Sequence, residues 1–327
     1  MFELAGAASG RLLGAAFVRL LGIGATLLAI VTLVFITVRA VPGDPVDHLL
    51  GDQATEADRA TLRHRMHLDG TLPQQYLAML GDLTDGTLGT SHAVGGRDTH
   101  VATLVADRLP HTIALAFAAL LAAVLMALPL GIGAALQRDR LVDHAARTWA
   151  LLAVSMPAFV SGPLALFAFA VWLPWAPTPA DAAGPVAGLV LPAIVLGFAL
   201  SGRLSRLLRG SMIEALSSDF VLAARARGLP EARILFCHAL ANAALPVITV
   251  LGLQLAALLS GALVTEKVFG RPGLGTLLLE GIASRDYPVV QGCVLVIGAT
   301  YVVIDALVDA LVRWLDPRLR PGARVAT

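Results

Sequence analysis

Apolar and polar positions in this chain fall into long blocks rather than short alternations. Leu20–Val38 is an uncharged run of 19 residues, about enough to cross ~30 Å of hydrocarbon as a helix. Further apolar runs cover Thr112–Leu136, Thr148 to about Trp172, Ala182–Gly202, and part of Ala239–Thr265 from near Pro246. A last run starts with Tyr287–Ile304 and continues past Asp305 and Asp309 to about Trp314. The pattern predicts six transmembrane helices, with Ser155-Met156-Pro157 kinking the third. A signal peptide is the competing reading of the first run. Val41-Pro42-Gly43 offers no clear small-residue cleavage site, so the run is read as a retained span.

Pro42–His111 interrupts this pattern. It holds ten acids against five arginines. Thr55 is placed to cap a helix running through Met66, and Pro73 to open a second, with Tyr76, Leu77, Leu80 and Leu83 at helical spacing. Gly86–Gly96 reads as a glycine-rich loop. The chain thus divides into a terminus and first helix (1–41), a polar segment (42–110) and a five-helix core (111–327).

Composition supports a membrane protein: 57% of residues are hydrophobic and 14% charged, against about 25% charged in ordinary soluble domains. A net charge of +1 with no basic tail gives no sign of nucleic-acid binding. Cys237 and Cys293 are too few and too badly placed for a disulfide scaffold or a metal site. Lys267 is the only lysine, and Glu266 precedes it, so the Gly-Lys-Ser/Thr of a P-loop is missing and the chain carries no Walker-type ATP site. His48, His64, His67, His92 and His100 lie in the polar segment. His64 and His67 are spaced for one helix face, but no third ligand is set by spacing. They are read as solvated loop histidines, and no metal is expected there.

Arginines set the expected orientation. They gather in the loop between spans two and three (Arg138, Arg140, Arg147), between four and five (Arg203, Arg206, Arg209, Arg225, Arg227, Arg233) and in the tail (Arg313, Arg318, Arg320, Arg324). Leu173–Asp181 has none. Both termini and the 203–245 loop are therefore expected in the cytoplasm, and 42–110 outside. Within that loop Ser217, Ser218 and Asp219 are candidate N-caps for a short helix, Gly228 is its stop, and Pro230 with Glu231 opens another.

Polar groups inside the spans are few. Asp305, Asp309 and Arg313 recur every fourth residue and are read as a structural ladder on one helix face, with a proton relay as the rival. Gln254 could line a passage or bond another helix. Val268–Gly275 forms a glycine-rich turn whose apolar content predicts that it dips back against the bundle.

Ala223-Ala224-Arg225-Ala226-Arg227-Gly228-Leu229 resembles the cytoplasmic coupling loop of ABC importer membrane subunits, in the form used by the dipeptide/oligopeptide/nickel permeases. His238-Ala239-Leu240, Asn242-Ala243 and Leu245-Pro246 continue it. Leu222 stands where the general motif has glutamate. Pro42-Gly43-Asp44-Pro45, His67-Leu68-Asp69, Gln75-Tyr76, Leu88-Gly89-Thr90-Ser91, Ser155-Met156-Pro157-Ala158-Phe159, Pro272-Gly273-Leu274-Gly275, Arg285-Asp286-Tyr287-Pro288 and Leu315-Asp316-Pro317-Arg318 are similar to the same family in the same order. The resemblance implies an all-α integral membrane fold of the type I ABC importer (MetI-like) class. It implies a non-enzymatic permease forming half of a pathway for di- or oligopeptides, with nickel, a metal chelate or another small solute as alternatives.

It further implies a homologous second permease, two ABC ATPase subunits and an extracytoplasmic solute-binding protein as partners, in a bacterial or archaeal cytoplasmic membrane. The chain itself would hold no cofactor, ATP and magnesium belonging to the ATPases. Asp219, Ala223, Ala224, Arg225, Arg227, Gly228 and Leu229 would form the ATPase-coupling loop, and Gln254, Pro272, Gly273 and Gly275 the pathway or gate. An ion-coupled secondary transporter using Asp305 and Asp309 is the rival of another class, but no inverted repeat or central charge supports it. An intramembrane hydrolase would need a Ser–His or paired-Asp constellation at membrane depth, and Ser155, Ser161 and Ser201 have none.

Overall fold

The computed structural model describes residues 2–40, 43–50, 54–95, 98–178 and 187–315, with side chains except at 2–20, 48, 260, 261, 313 and 315. Pro42, Asp181, Asp316-Pro317-Arg318, Arg320 and Arg324 lie outside the described residues. The chain forms two units. Met1–Leu109 with Leu277–Val302 makes the first, and Pro110–Thr276 with Val303–Thr327 the second.

The first unit starts with α1 (Phe2–Ala40), whose apolar part is Leu21–Ala40. A short helix that the apolar pattern did not predict follows, α2 (Pro45–Leu50). Its cap explains the Pro-Gly-Asp-Pro motif: the Val46 amide donates to Asp44 Oδ1 at 2.9 Å, and Pro45 needs no donor there. Asp44 also pairs with Arg63 on α3 (Glu56–Arg65). Thr55 caps α3 as expected, in a reciprocal box with Asp58 (3.1 and 3.2 Å).

The end of α3 departs from expectation. His67 leaves the helix with φ +53°, while the amides of His67 and Leu68 return to the carbonyls of His64 and Arg63. His64 and His67 thus do not share a helix face, and His64 pairs instead with Asp69 at 2.6 Å. Pro73 lies in the first turn of α4 (Leu72–Thr84). Tyr76 ties α4 to α1: its hydroxyl meets Thr32 Oγ1 at 2.7 Å and its ring meets Phe35 edge-on at 5.1 Å. Gly86–Gly96, read as loop, contains β1 (Thr90–Ser91), which pairs antiparallel with β2 (Thr99–His100).

The second unit takes most of α5 (Val101–Leu136), then α6 (Leu141–Ser155) and α7 (Ala158–Leu166) with a π-helical turn at Phe167–Trp172. The expected kink is a bend of 100° between α6 and α7. Met156 is extended (ψ 111°) because the Pro157 ring excludes the helical region for the residue before it. Next is α8 (Ala187–Leu216), which runs well past Gly202. A short helix α9 (Asp219–Ala226), a turn α10 (Glu231–Arg233) and a π-helical turn at Ile234–Ala239 lead into α11 (Leu240–Gly261). The fifth span therefore does not start at Pro246. That proline sits inside a helix already under way, an arrangement that the π-turn and neighbouring helices can accommodate. The chain continues as α12 (Leu263–Val268), α13 (Leu274–Ala283) and α14 (Tyr287–Leu315).

Small residues let α5, α8 and α11 approach closely. Ala123, Ala127, Leu204, Leu208, Met212, Ala243 and Val247 share one core. A Cβ on Gly197 would lie 2.9 Å from the Ala123 nitrogen and 3.0 Å from the Ala119 oxygen. Among the described residues five helices are long and apolar enough to cross a membrane, or six if the bent α6–α7 pair is one span.

Candidate coupling site

The end of α8 and the start of α9 are built differently from the expected caps. Ser217 Oγ and Ser218 Oγ donate backwards, to carbonyls of Ile213, Glu214 and Ala215. They close α8 rather than cap α9. Ser218 is the N-cap position by backbone geometry alone, and Asp219 adds a negative charge to the first turn.

Gly228 is the stop that the sequence indicated. It has φ +74°, its amide returns to Arg225 O (2.9 Å), and the Leu229 amide returns to Ala224 O (3.3 Å). Leu229 then packs beneath the helix with buried Val221, Ala224 and Ile234. Arg225 spans the turn and grips Glu231 with Nε and Nη2, at 2.9 and 3.2 Å. The helix is thereby held from below by apolar contacts and across its end by an ion pair. Asp219, Phe220, Leu222, Ala223, Arg225 and Arg227 stay exposed, with Leu222 67% accessible. This surface offers apolar contact, two guanidiniums and no nucleophile.

The turn after α12 is a buried network around Glu266, which is 1% exposed. Its Oε2 accepts from the amides of Gly275 (2.8 Å) and Thr276 (3.2 Å) at the start of α13. Its Oε1 accepts from Thr112 Oγ1 (2.6 Å), which in turn accepts from the Leu274 amide (2.8 Å). Gly270, at φ +61°, turns the Arg271 amide back to Glu266 O. The predicted dip of this turn against the bundle is thus made by a carboxylate, and the glycines are there to admit it. A Cβ at Gly275 would lie 2.5 Å from the Leu263 backbone.

Gln254 is buried in α11, and its Oε1 has no hydrogen-bond partner, so no helix–helix bond is made through that oxygen. Asp305 and Asp309 are half-buried on α14, while the Arg313 side chain lies outside what is described. Among the described residues no three His, Cys, Asp or Glu gather as a metal site would need.

Three acids carry more structure than their sequence positions suggested: Glu266, Asp143 and Asp286. Asp143 on α6 is fully buried and accepts from Arg147 and Arg209. The Asp143–Arg147 spacing of four was the available signal. In the first unit, Asp286 Oδ2 accepts from Ser91 Oγ (2.7 Å) and from the amides of His92 (3.1 Å), Ala93 (3.0 Å) and Val94 (3.4 Å). This joins two motifs that lie far apart in the chain.

The family of binding-protein-dependent transport system inner membrane components matches residues 127–321, and the family's N-terminal segment matches residues 13–116. A candidate peptide permease of Brucella suis is 38% identical over 311 residues, covering 92% of this chain and 97% of the relative. The di/tripeptide transport system permease DppB of Pseudomonas aeruginosa is 37% identical over 322 residues, covering 90% and 95%. The glutathione transport system permease GsiC of Salmonella typhimurium is 37% identical over 302 residues, covering 92% and 97%.

Proposed function

Because this chain belongs to the binding-protein-dependent transport system inner membrane components, we propose that it is one permease half of an ATP-driven importer of di- or oligopeptides. The names of its relatives favour a peptide over nickel or a metal chelate. A second, homologous permease completes the pathway. Two ABC ATPases hold ATP and magnesium and perform the hydrolysis, and a solute-binding protein delivers the peptide. Both termini and α9 face the cytoplasm of a bacterial or archaeal cell, and residues 42–110 face outward.

The exposed face of α9 carries this reading. Phe220, Leu222 and Ala223 offer apolar contact, Arg225 and Arg227 offer charge, and the Gly228 stop fixes the helix against Val221, Ala224 and Ile234. In this reading α9 lies in a groove of an ATPase, and nucleotide-driven closure moves it together with α8 and α11. The chain supplies different contacts to two states of the pathway and does no covalent chemistry.

Gly228→Trp forces a bulky side chain into a left-handed position with open space around it. Peptide uptake in proteoliposomes should then uncouple from ATP hydrolysis while the protein stays inserted. Full uptake by this variant would overturn the docking of α9. Uptake should depend on ATP and survive a protonophore; collapse with the proton gradient would favour a secondary transporter.

A further inference from the structure

In the second unit α6 and α8 are fastened at three levels along one face. At one level Trp149 Nε1 donates to Ser201 Oγ (3.0 Å), and its ring meets Phe198 edge-on at 4.9 Å. At the next, Gly202 is pressed onto α6: a Cβ there would lie 2.8 Å from Ala153 Cβ and 2.9 Å from Ala150 O. At the third, Arg209 clasps Asp143 with both ends of its fork, Nε to Oδ1 at 2.6 Å and Nη2 to Oδ2 at 2.7 Å.

Asp143 is shared. Arg147 reaches the same carboxylate with Nε (3.1 Å) and Nη2 (2.6 Å), and the Asp139 amide donates to Oδ2 at 2.9 Å. Arg147 Nη2 also meets Asp139 Oδ1 at 2.9 Å. Two acids thus meet three arginines, Arg138 joining through Asp139 at 3.5 Å, around a carboxylate with no exposure. Small-residue contacts permit close approach but resist sliding weakly. A two-pronged ion pair sets both distance and rotation, and its burial limits screening by salt. Arg209 lies two turns from the end of α8, which leads directly into α9.

We propose that Asp143 is a positioning residue for transport: it locks α6 to α8 so that a displacement of α9 moves both helices as one body. The proposal rests on α9 being the element that the ATPases engage. It assigns to α6, which has no place in the coupling motif, a share of the stroke.

The test uses the complete transporter in proteoliposomes, with both permeases, both ATPases and the binding protein. Cys237 and Cys293 are replaced, and spin labels are placed at the exposed positions His144 on α6 and Gly210 on α8. The label-to-label distance should be the same in nucleotide-free and ATP-trapped states. In Asp143→Asn it should shift by more than about 2 Å between those states. Peptide delivered per ATP should fall at least about fivefold while the ATPases still co-purify. Arg209→Lys keeps the charge but loses the fork, and should give a smaller fall; it decides the matter if Asp143→Asn does not assemble.

A wild-type distance that changes between states overturns the proposal. So does a variant that merely melts earlier with unchanged peptide per ATP. Failure of the α9 reading would look different: Gly228→Trp would transport normally whatever the α6–α8 distance does.

Discussion

Gly273 lies against the Glu266 carboxylate so closely that a Cβ on it would sit 2.1 Å from the carboxyl carbon. The glycine and the acid are therefore one device. The buried carboxylate receives the first amides of α13, and Gly273 and Gly275 keep the backbone clear of it. Gly273→Ala should cost about 1–3 kcal/mol through overpacking. Glu266→Gln keeps the shape but places a donor against donors. Both should lower the thermal midpoint of the purified permease, and Gly81→Ala, where a Cβ meets nothing within 4 Å, should not.

Thr112→Val tests the second half of that network. The methyl replaces a hydroxyl that donates to Glu266 Oε1 and accepts from the Leu274 amide, leaving both buried groups unpaired. The expected cost is about 1–3 kcal/mol. Because Thr112 and Glu266 share a hydrogen bond, the double variant Thr112→Val/Glu266→Gln should cost less than the sum of the singles. Thermal unfolding of the four proteins checks this, and additivity would dissociate the two residues.

Asp286→Ala removes the acceptor of the Ser91 hydroxyl and of the His92 and Ala93 amides at once. Asp286→Asn retains one acceptor oxygen. The alanine variant should therefore expose the Ser91–Val94 turn to proteolysis while the asparagine variant resists, with a separation of about 1–3 kcal/mol in stability. Equal protection in both would remove Asp286 as the anchor of that turn.

Acid should loosen the start of α3 first. The Thr55 hydroxyl and amide hold the Asp58 carboxyl below its ordinary value. Folded α3 thus binds its proton less readily than the unfolded chain does. The cap is fully present above the ordinary carboxylate value of about 3.9 and is lost as pH falls through the lower folded value. Asp82 works the other way: burial raises its pKa, so its ionisation opposes folding as pH rises through the ordinary value. Amide protection across Glu56–Arg65, the exchange rate measured against the intrinsic rate at each pH, should fall at low pH in the native protein. In Asp58→Ala protection should be lower throughout and nearly independent of pH.

Cys237 is exposed in the π-helical turn beyond α10. With the proposed orientation, a membrane-impermeant maleimide should label it in inside-out vesicles lacking the ATPases and leave it unlabelled in right-side-out vesicles. Labelling from the outside would reverse the assignment of both termini.

Local chemistry was enough to place much of this protein. Uncharged runs long enough for a bilayer located the spanning helices. Thr55, Pro73 and Gly228 located the ends of α3, α4 and α9, because a cap or a left-handed stop depends on residues only a few positions apart. The exposed face of α9 was legible for the same reason. The tertiary structure decided what depends on residues far apart. Pro157 announced a kink, but its size, 100°, is a feature of the folded chain. Pro246 announced a start, yet lies inside a continuous helix. Glu266, Asp143 and Asp286 looked like isolated acids, since a buried carboxylate is explained only by its partners. Those partners are Thr112 and the α13 amides, Arg209 on another helix, and a turn nearly two hundred residues away.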